Sequence, residues 1–63
     1  MRVIKIHPEY FNWMAFNAEN DVEEVLKTVE ELLPELADGD RLIIEIGEMS
    51  EEEFSNLPEF PGW

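Results

Sequence analysis

Residues 21–35 read DVEEVLKTVEELLPE, and this stretch decides the fold. Val22, Val25, Leu26, Val29, Leu32, Leu33 and, just beyond, Leu36 recur at three- and four-residue spacing, which gathers them into one stripe of a 3.6-residue helix. A helix with one apolar stripe needs a second layer to bury it. Asn20 and Glu23, three residues apart, read as a capping pair, and Asp21, Glu23 and Glu24 put negative charge where the helix dipole favours it. Pro34 has no N–H and clashes with the carbonyl four residues back, so the helix kinks there or gives way to a separate turn over 34–37. Gly39, between Asp38 and Asp40, supplies the stop.

The second layer is legible on both sides of that helix. Downstream, residues 41–49 alternate: Leu42, Ile44 and Ile46 point one way, Ile43 and Glu45 the other. Upstream, residues 2–7 do the same, with Ile4 and Ile6 opposite Val3, Lys5 and His7, until Pro8 and Glu9 break the pattern. Residues 10–16, YFNWMAF, are rich in aromatics that suit a pleated surface, and a second strand paired as a hairpin is the preferred reading. The rival is a short helix opened by Pro8, with Tyr10, Trp13 and Met14 at i, i+3 and i+4. Ser50 followed by Glu53 is a capping box that starts a short helix over 51–57, with Met49 and Phe54 placed as its hydrophobic staple. Pro58 and Pro61 forbid regular structure in the aromatic tail, 58–63.

These elements predict an α+β fold: a single domain over 1–63, in the order β-β-α-β with a short C-terminal helix and tail. The long helix packs on one face of a three-stranded, mostly antiparallel sheet. Ile4, Ile6, Leu42, Ile44, Ile46 and the helix stripe form the expected core. Val3, Ile43 and part of the aromatic set lie on the other face, which Phe54, Leu57, Phe60 and Trp63, or a second chain, must cover to avoid a large apolar patch in water.

Sixty-three residues with 44% hydrophobic content allow one core and no deep substrate cleft. The absence of cysteine removes disulfides, thiolate metal sites and cysteine nucleophiles. The net charge is −12, unevenly placed. Residues 1–18 carry Arg2, Lys5 and Glu9; residues 19–40 carry nine acids and Lys27; residues 41–63 carry six acids and Arg41. Such a chain repels nucleic acid, anionic lipid and phosphorylated substrates, so direct nucleic-acid or membrane binding is not expected and a basic protein is. No apolar run is long enough for a signal peptide after MRVIK or for a membrane span, which makes a cytoplasmic protein the expectation.

Catalytic constellations are weak. His7 is the single histidine, so no triad or tetrahedral zinc set can assemble around it without carboxylates alone. Carboxylate pairs occur at Glu23 and Glu24, at Glu30 and Glu31, and in the run 51–53, but all fall on polar sides of helices, whereas a catalytic pair needs one acid in an apolar pocket. Asp38, Gly39 and Asp40 open like a calcium loop, yet Leu42 and Ile44 stand where oxygen ligands are needed. Gly39, Gly47 and Gly62 are too far apart for a phosphate loop. No enzyme, cofactor or metal is expected.

Two candidate surfaces remain. The first is acidic: Asp21, Glu23, Glu24, Glu30, Glu31 and Glu35 lie on one helix. Six charges over about 21 Å of helix approach the ~3.4 Å phosphate spacing of one DNA strand, so this face fits a basic surface built for nucleic acid. Ordinary solvation explains the same charge, and Glu23, Lys27 and Glu31 form an i, i+4 ladder that offsets part of it. The second surface is apolar: Tyr10, Trp13, Phe60 and Trp63 are the side chains placed to bind a partner or join a homodimer. In size and charge the chain resembles short acidic proteins of phages and mobile elements, many of which bind and block a host protein that handles nucleic acid. That resemblance, which rests on no motif, implies an inhibitor or DNA mimic. The alternative is a structural or regulatory homodimer joined through its aromatic sheet face.

Overall fold

In the computed structural model, which describes residues 1–58, the chain runs through β1 (Arg2–Pro8), β2 (Met14–Asn17), α1 (Val22–Leu32), a 3-10 turn (Leu33–Glu35), β3 (Leu42–Glu48) and α2 (Glu51–Ser55). The sheet order is β2-β1-β3, with β1 in the middle and antiparallel to both neighbours. Phe60, Trp63 and the tail from residue 59 onward lie outside the described residues.

Cross-strand partners share a face, so the register assigns the sides. Ile4 sits between Phe16 and Ile46, and Ile6 between Met14 and Ile44. This even-numbered side faces α1. Ile6, Phe16, Val25 and Leu32 form its buried centre, with Ile4, Met14, Val29, Leu36 and Leu42 packed around them. On the opposite side Val3 is also fully buried within the single chain, and Ile43 is half-buried. The central strand is therefore covered on both faces at Val3 and Ile6.

Several expectations are corrected. Pro8 does not break β1 but ends it, opposite Leu42. The Glu9 N–H donates to Arg41 O at 2.8 Å, so the position before it, where proline has no donor, faces the β2 side, and β2 pairing stops at Ile6 and Met14. The second strand is a strand, as preferred, but occupies Met14–Asn17 rather than 10–16. Residues 8–11 form a turn instead, closed by Phe11 N–H donating to Pro8 O at 3.0 Å, with Tyr10 at φ +74°.

Asn20 does not cap α1. Asp21 holds the N-cap position without a side-chain cap bond, and its carboxylate turns back to accept the Asn17 N–H at 3.1 Å. Asn17 Oδ1 in turn accepts the N–H groups of Glu19 and Asn20. Pro34 acts as expected, replacing the last helical turn by a short 3-10 segment, and Gly39 adopts φ +92°, a left-handed conformation that costs a side-chain-bearing residue. Ser50 caps α2: its Oγ accepts Glu53 N–H at 3.0 Å and lies 3.2 Å from the Glu53 carboxylate.

The largest correction concerns the core. Val22, Leu26, Leu33, Ile44 and Ile46, all expected inside, are exposed. The β2-to-α1 connection is short and tied at both ends by Asn17 and Asp21, so α1 starts directly over the β2 edge and covers β2 and β1. On the same face of β3, Leu42 packs against the core while Ile44 and Ile46 are left exposed.

Candidate protein-binding surfaces

With Val25 and Leu32 turned into the core, the helical period sends Glu23, Glu24, Lys27, Glu30 and Glu31 outward, and all five are exposed. Among the described residues two ion pairs form, Lys5 with Glu45 at 3.9 Å and Arg41 with Glu9 at 3.6 Å. Neither involves α1. The expected ladder of Glu23, Lys27 and Glu31 is not made: long flexible side chains on an exposed face gain too little Coulomb energy in water to be held in one geometry. The four outward glutamates therefore stand within a few turns of one another, against the single charge of Lys27, with their mutual repulsion screened only by solvent and salt.

Asp21 is placed differently from the other predicted acids. It is half-buried and its carboxylate serves the loop through Asn17. Asp40, likewise, accepts the Ala37 N–H at 2.8 Å and stabilises the chain reversal before β3. Glu35 is exposed at the far end of the helical segment.

Tyr10 and Trp13, the two predicted apolar residues among those described, do not share one sheet face. Trp13 lies beneath Lys5, whose ammonium is 4.7 Å from the ring centre, a cation–π contact on the side opposite α1. Tyr10 stands in the turn, 94% exposed, and Phe11 beside it is also exposed. A tyrosine at φ +74° carries steric strain that glycine or asparagine would avoid, and full exposure returns no packing energy for it. His7 supports the same turn: its Nδ1–H donates to Pro8 O at 2.8 Å, which fixes the proton on that nitrogen.

An open cleft of about 510 Å³ joins the two surfaces. Tyr10, Phe11, Leu32 and Leu36 line it together with the carboxylates of Glu35 and Asp40. Sequence spacing had separated Tyr10 from Glu35 by a whole strand and helix, and only the chain reversals bring an exposed aromatic and an exposed carboxylate to one opening. Among the described residues no three His, Asp or Glu side chains converge as a metal set, and no helix is long and apolar enough to cross a membrane.

No family model, no curated protein and no solved structure matches this chain significantly. The functional reading therefore rests on the surfaces themselves.

Proposed function

We propose that this protein is a non-enzymatic module that binds a basic protein surface through the outward carboxylates Glu23, Glu24, Glu30 and Glu31, with Glu35 and the aromatic turn at Tyr10 extending the contact. The partner class is a nucleic-acid-binding protein, whose phosphate-binding surface the helix occupies as an antagonist, in the manner of the small acidic phage-type proteins that it resembles in size and charge. The observation that carries this reading is that, among the described residues, no cationic partner pairs with the α1 carboxylates, although Arg41 and Lys5 elsewhere are both paired. Repulsion among unpaired like charges is relieved when a cationic surface arrives, so the free protein is poised to gain electrostatically on binding.

The test is affinity capture from lysate at low and high salt, with the recovered proteins identified and their affinities measured on purified material. A basic protein eluted by salt, and lost on reversal of Glu23, Glu24, Glu30 and Glu31 to Lys with the circular dichroism spectrum unchanged, is the expected outcome. Affinity untouched by that reversal ends the proposal.

A further inference from the structure

The uncovered half of the helix-bearing face has a defined shape. Its floor is Ile44 and Ile46 of β3, 53% and 52% exposed, which lie in register beside Ile6 and Ile4. Its wall comes from α1 and the turn after it. Val22, Leu26, Val29 and Leu33 follow one another at i, i+4, i+7 and i+11, a stripe displaced to one flank of the buried Val25 and Leu32. Leu26 and Leu33 are 62% and 61% exposed.

The usual hand of this topology points that flank at the floor. β2 and β3 are both antiparallel to β1 and hence parallel to each other, so β2, α1 and β3 form a crossover with β1 between its strands. Such crossovers are right-handed in nearly every case. In a right-handed crossover, with α1 running opposite to both strands above the sheet, residues about a quarter turn clockwise of the core-facing direction look toward β3. At about 100° per residue, Val22, Leu26 and Leu33 take that direction relative to Val25 and Leu32, and Glu23 and Glu30 follow about 60° later, on the upper rim. The result is a trough with an apolar floor, an apolar wall and a carboxylate rim.

We infer that this trough, between α1 and β3, receives an amphipathic basic helix of the partner protein. The inference rests on the acidic-module reading above and names the partner's chemistry. Helices pack on a neighbour at an axial separation of about 8–10 Å, so a second helix beside α1 stands over β3 and its outer edge and completes the layer. An apolar stripe on that helix meets Leu26, Leu33, Ile44 and Ile46, as in other helix-in-groove complexes. Lysines or arginines along its flank meet Glu23 and Glu30. A second copy of this chain is disfavoured as occupant by charge, because it sets one rim of glutamates on another in an assembly of two chains that each carry −12.

The experiment uses the full chain and a designed helical peptide with a leucine stripe flanked by lysines, compared with the same peptide carrying glutamates in place of the lysines. Methyl and amide shifts are followed by NMR, together with affinity at low and high salt. The lysine peptide should perturb the methyls of Leu26, Leu33, Ile44 and Ile46 together, and the glutamate peptide should not bind. The double variant Leu26→Ser, Ile44→Thr should weaken the lysine peptide at least about tenfold, with the amide spectrum still dispersed, since both sites are exposed.

Salt-sensitive binding that Glu30→Lys abolishes but the double variant leaves intact overturns the trough and keeps the acidic-module reading. Shifts confined to β3 amides, without the α1 methyls, mean strand addition at the sheet edge and also overturn it. Sedimentation as a dimer that the double variant dissociates assigns the trough to a second copy instead. Failure of the lysine peptide to bind any better than the glutamate peptide at low salt overturns both readings.

Discussion

Asn17 and Asp21 hold each other from both directions. The Asp21 N–H donates to Asn17 O at 3.0 Å, and the Asn17 N–H donates to the Asp21 carboxylate at 3.1 Å. This small ring joins the last residue of β2 to the N-cap of α1, and Asp21 O also accepts the first helical bond, from Val25 at 3.0 Å. A helix tethered so tightly to an edge strand cannot centre itself over the sheet. The residues that specify the turn, 17–21, therefore specify which apolar side chains stay in water.

Replacing Asp21 by alanine removes the carboxylate that Asn17 needs and leaves α1 without its anchor. The expected loss is about 1 kcal/mol, within the range for helix-cap and side-chain to backbone bonds. Urea denaturation measures it. The variant should also raise hydrogen exchange at Val25 above that at Ile6; equal protection at the two sites argues that the tether does not position the helix.

Neighbouring positions on one sheet face give different packing costs for the same chemical change. Ile6→Ala opens a cavity at a fully buried site and should cost about 3 kcal/mol, most of what a domain this small has. Ile44→Ala, on the neighbouring strand and the same face, should cost only about 1 kcal/mol because half of its surface is already in water. Comparable losses at both positions contradict the one-sided placement of α1.

Tyr10 separates stability from binding. Left-handed backbone costs a side-chain-bearing residue about 1–2 kcal/mol, and glycine gives back part of that relief through its greater unfolded-chain entropy. Tyr10→Gly should therefore stabilise the protein by about 0.5–1 kcal/mol, a rise in Tm of a few degrees for a domain of this length. It should weaken partner binding at the same time, since it removes the most exposed aromatic ring of the cleft. A stabilised variant with full affinity leaves the aromatic turn outside the interface.

Salt should act in opposite senses on folding and on binding. Going from about 0.01 M to about 0.15 M ionic strength shortens the Debye length from ~30 Å to ~8 Å. That screens the repulsion among Glu23, Glu24, Glu30 and Glu31, so Tm should rise over this interval while affinity for the basic partner falls. Thermal scans and titrations across the same salt series test both; a Tm that falls with salt means that attractive ion pairs dominate the folded state.

Ser50→Ala removes the acceptor of the Glu53 N–H at the start of α2. A cap of this type is worth about 1 kcal/mol, and a helix of five residues has little else to hold its first turn. Faster amide exchange at Glu53, with β1 and β3 unaffected, is the expected signature.

Local chemistry that needs no partner was legible in the residues themselves. The capping box at Ser50 and Glu53, the replacement of the helix end at Pro34 and the left-handed stop at Gly39 stand where spacing puts them. The same holds for the alternation of β1 and β3, which pairs Ile4 with Ile46 and Ile6 with Ile44. Asn20 was misread as a cap because a single sequence does not reveal that Asp21 would be drawn back to Asn17. Tyr10 was misread as strand because aromatics favour pleated surface, and the turn overrode that preference at the cost of backbone strain.

By itself the sequence determined the kinds of elements, their order along the chain and the segregation of charge onto α1, because periodicity, capping and proline act within a few residues. Only the tertiary structure decided which part of each apolar stripe is buried. Val25 and Leu32 are inside while Leu26 and Leu33 are not, and Ile6 is inside while Ile44 is not. A helical stripe is wider than the strip of sheet it can touch, and the sheet is wider than one helix. The side left open follows from the tether at Asn17 and Asp21, which hydropathy does not encode.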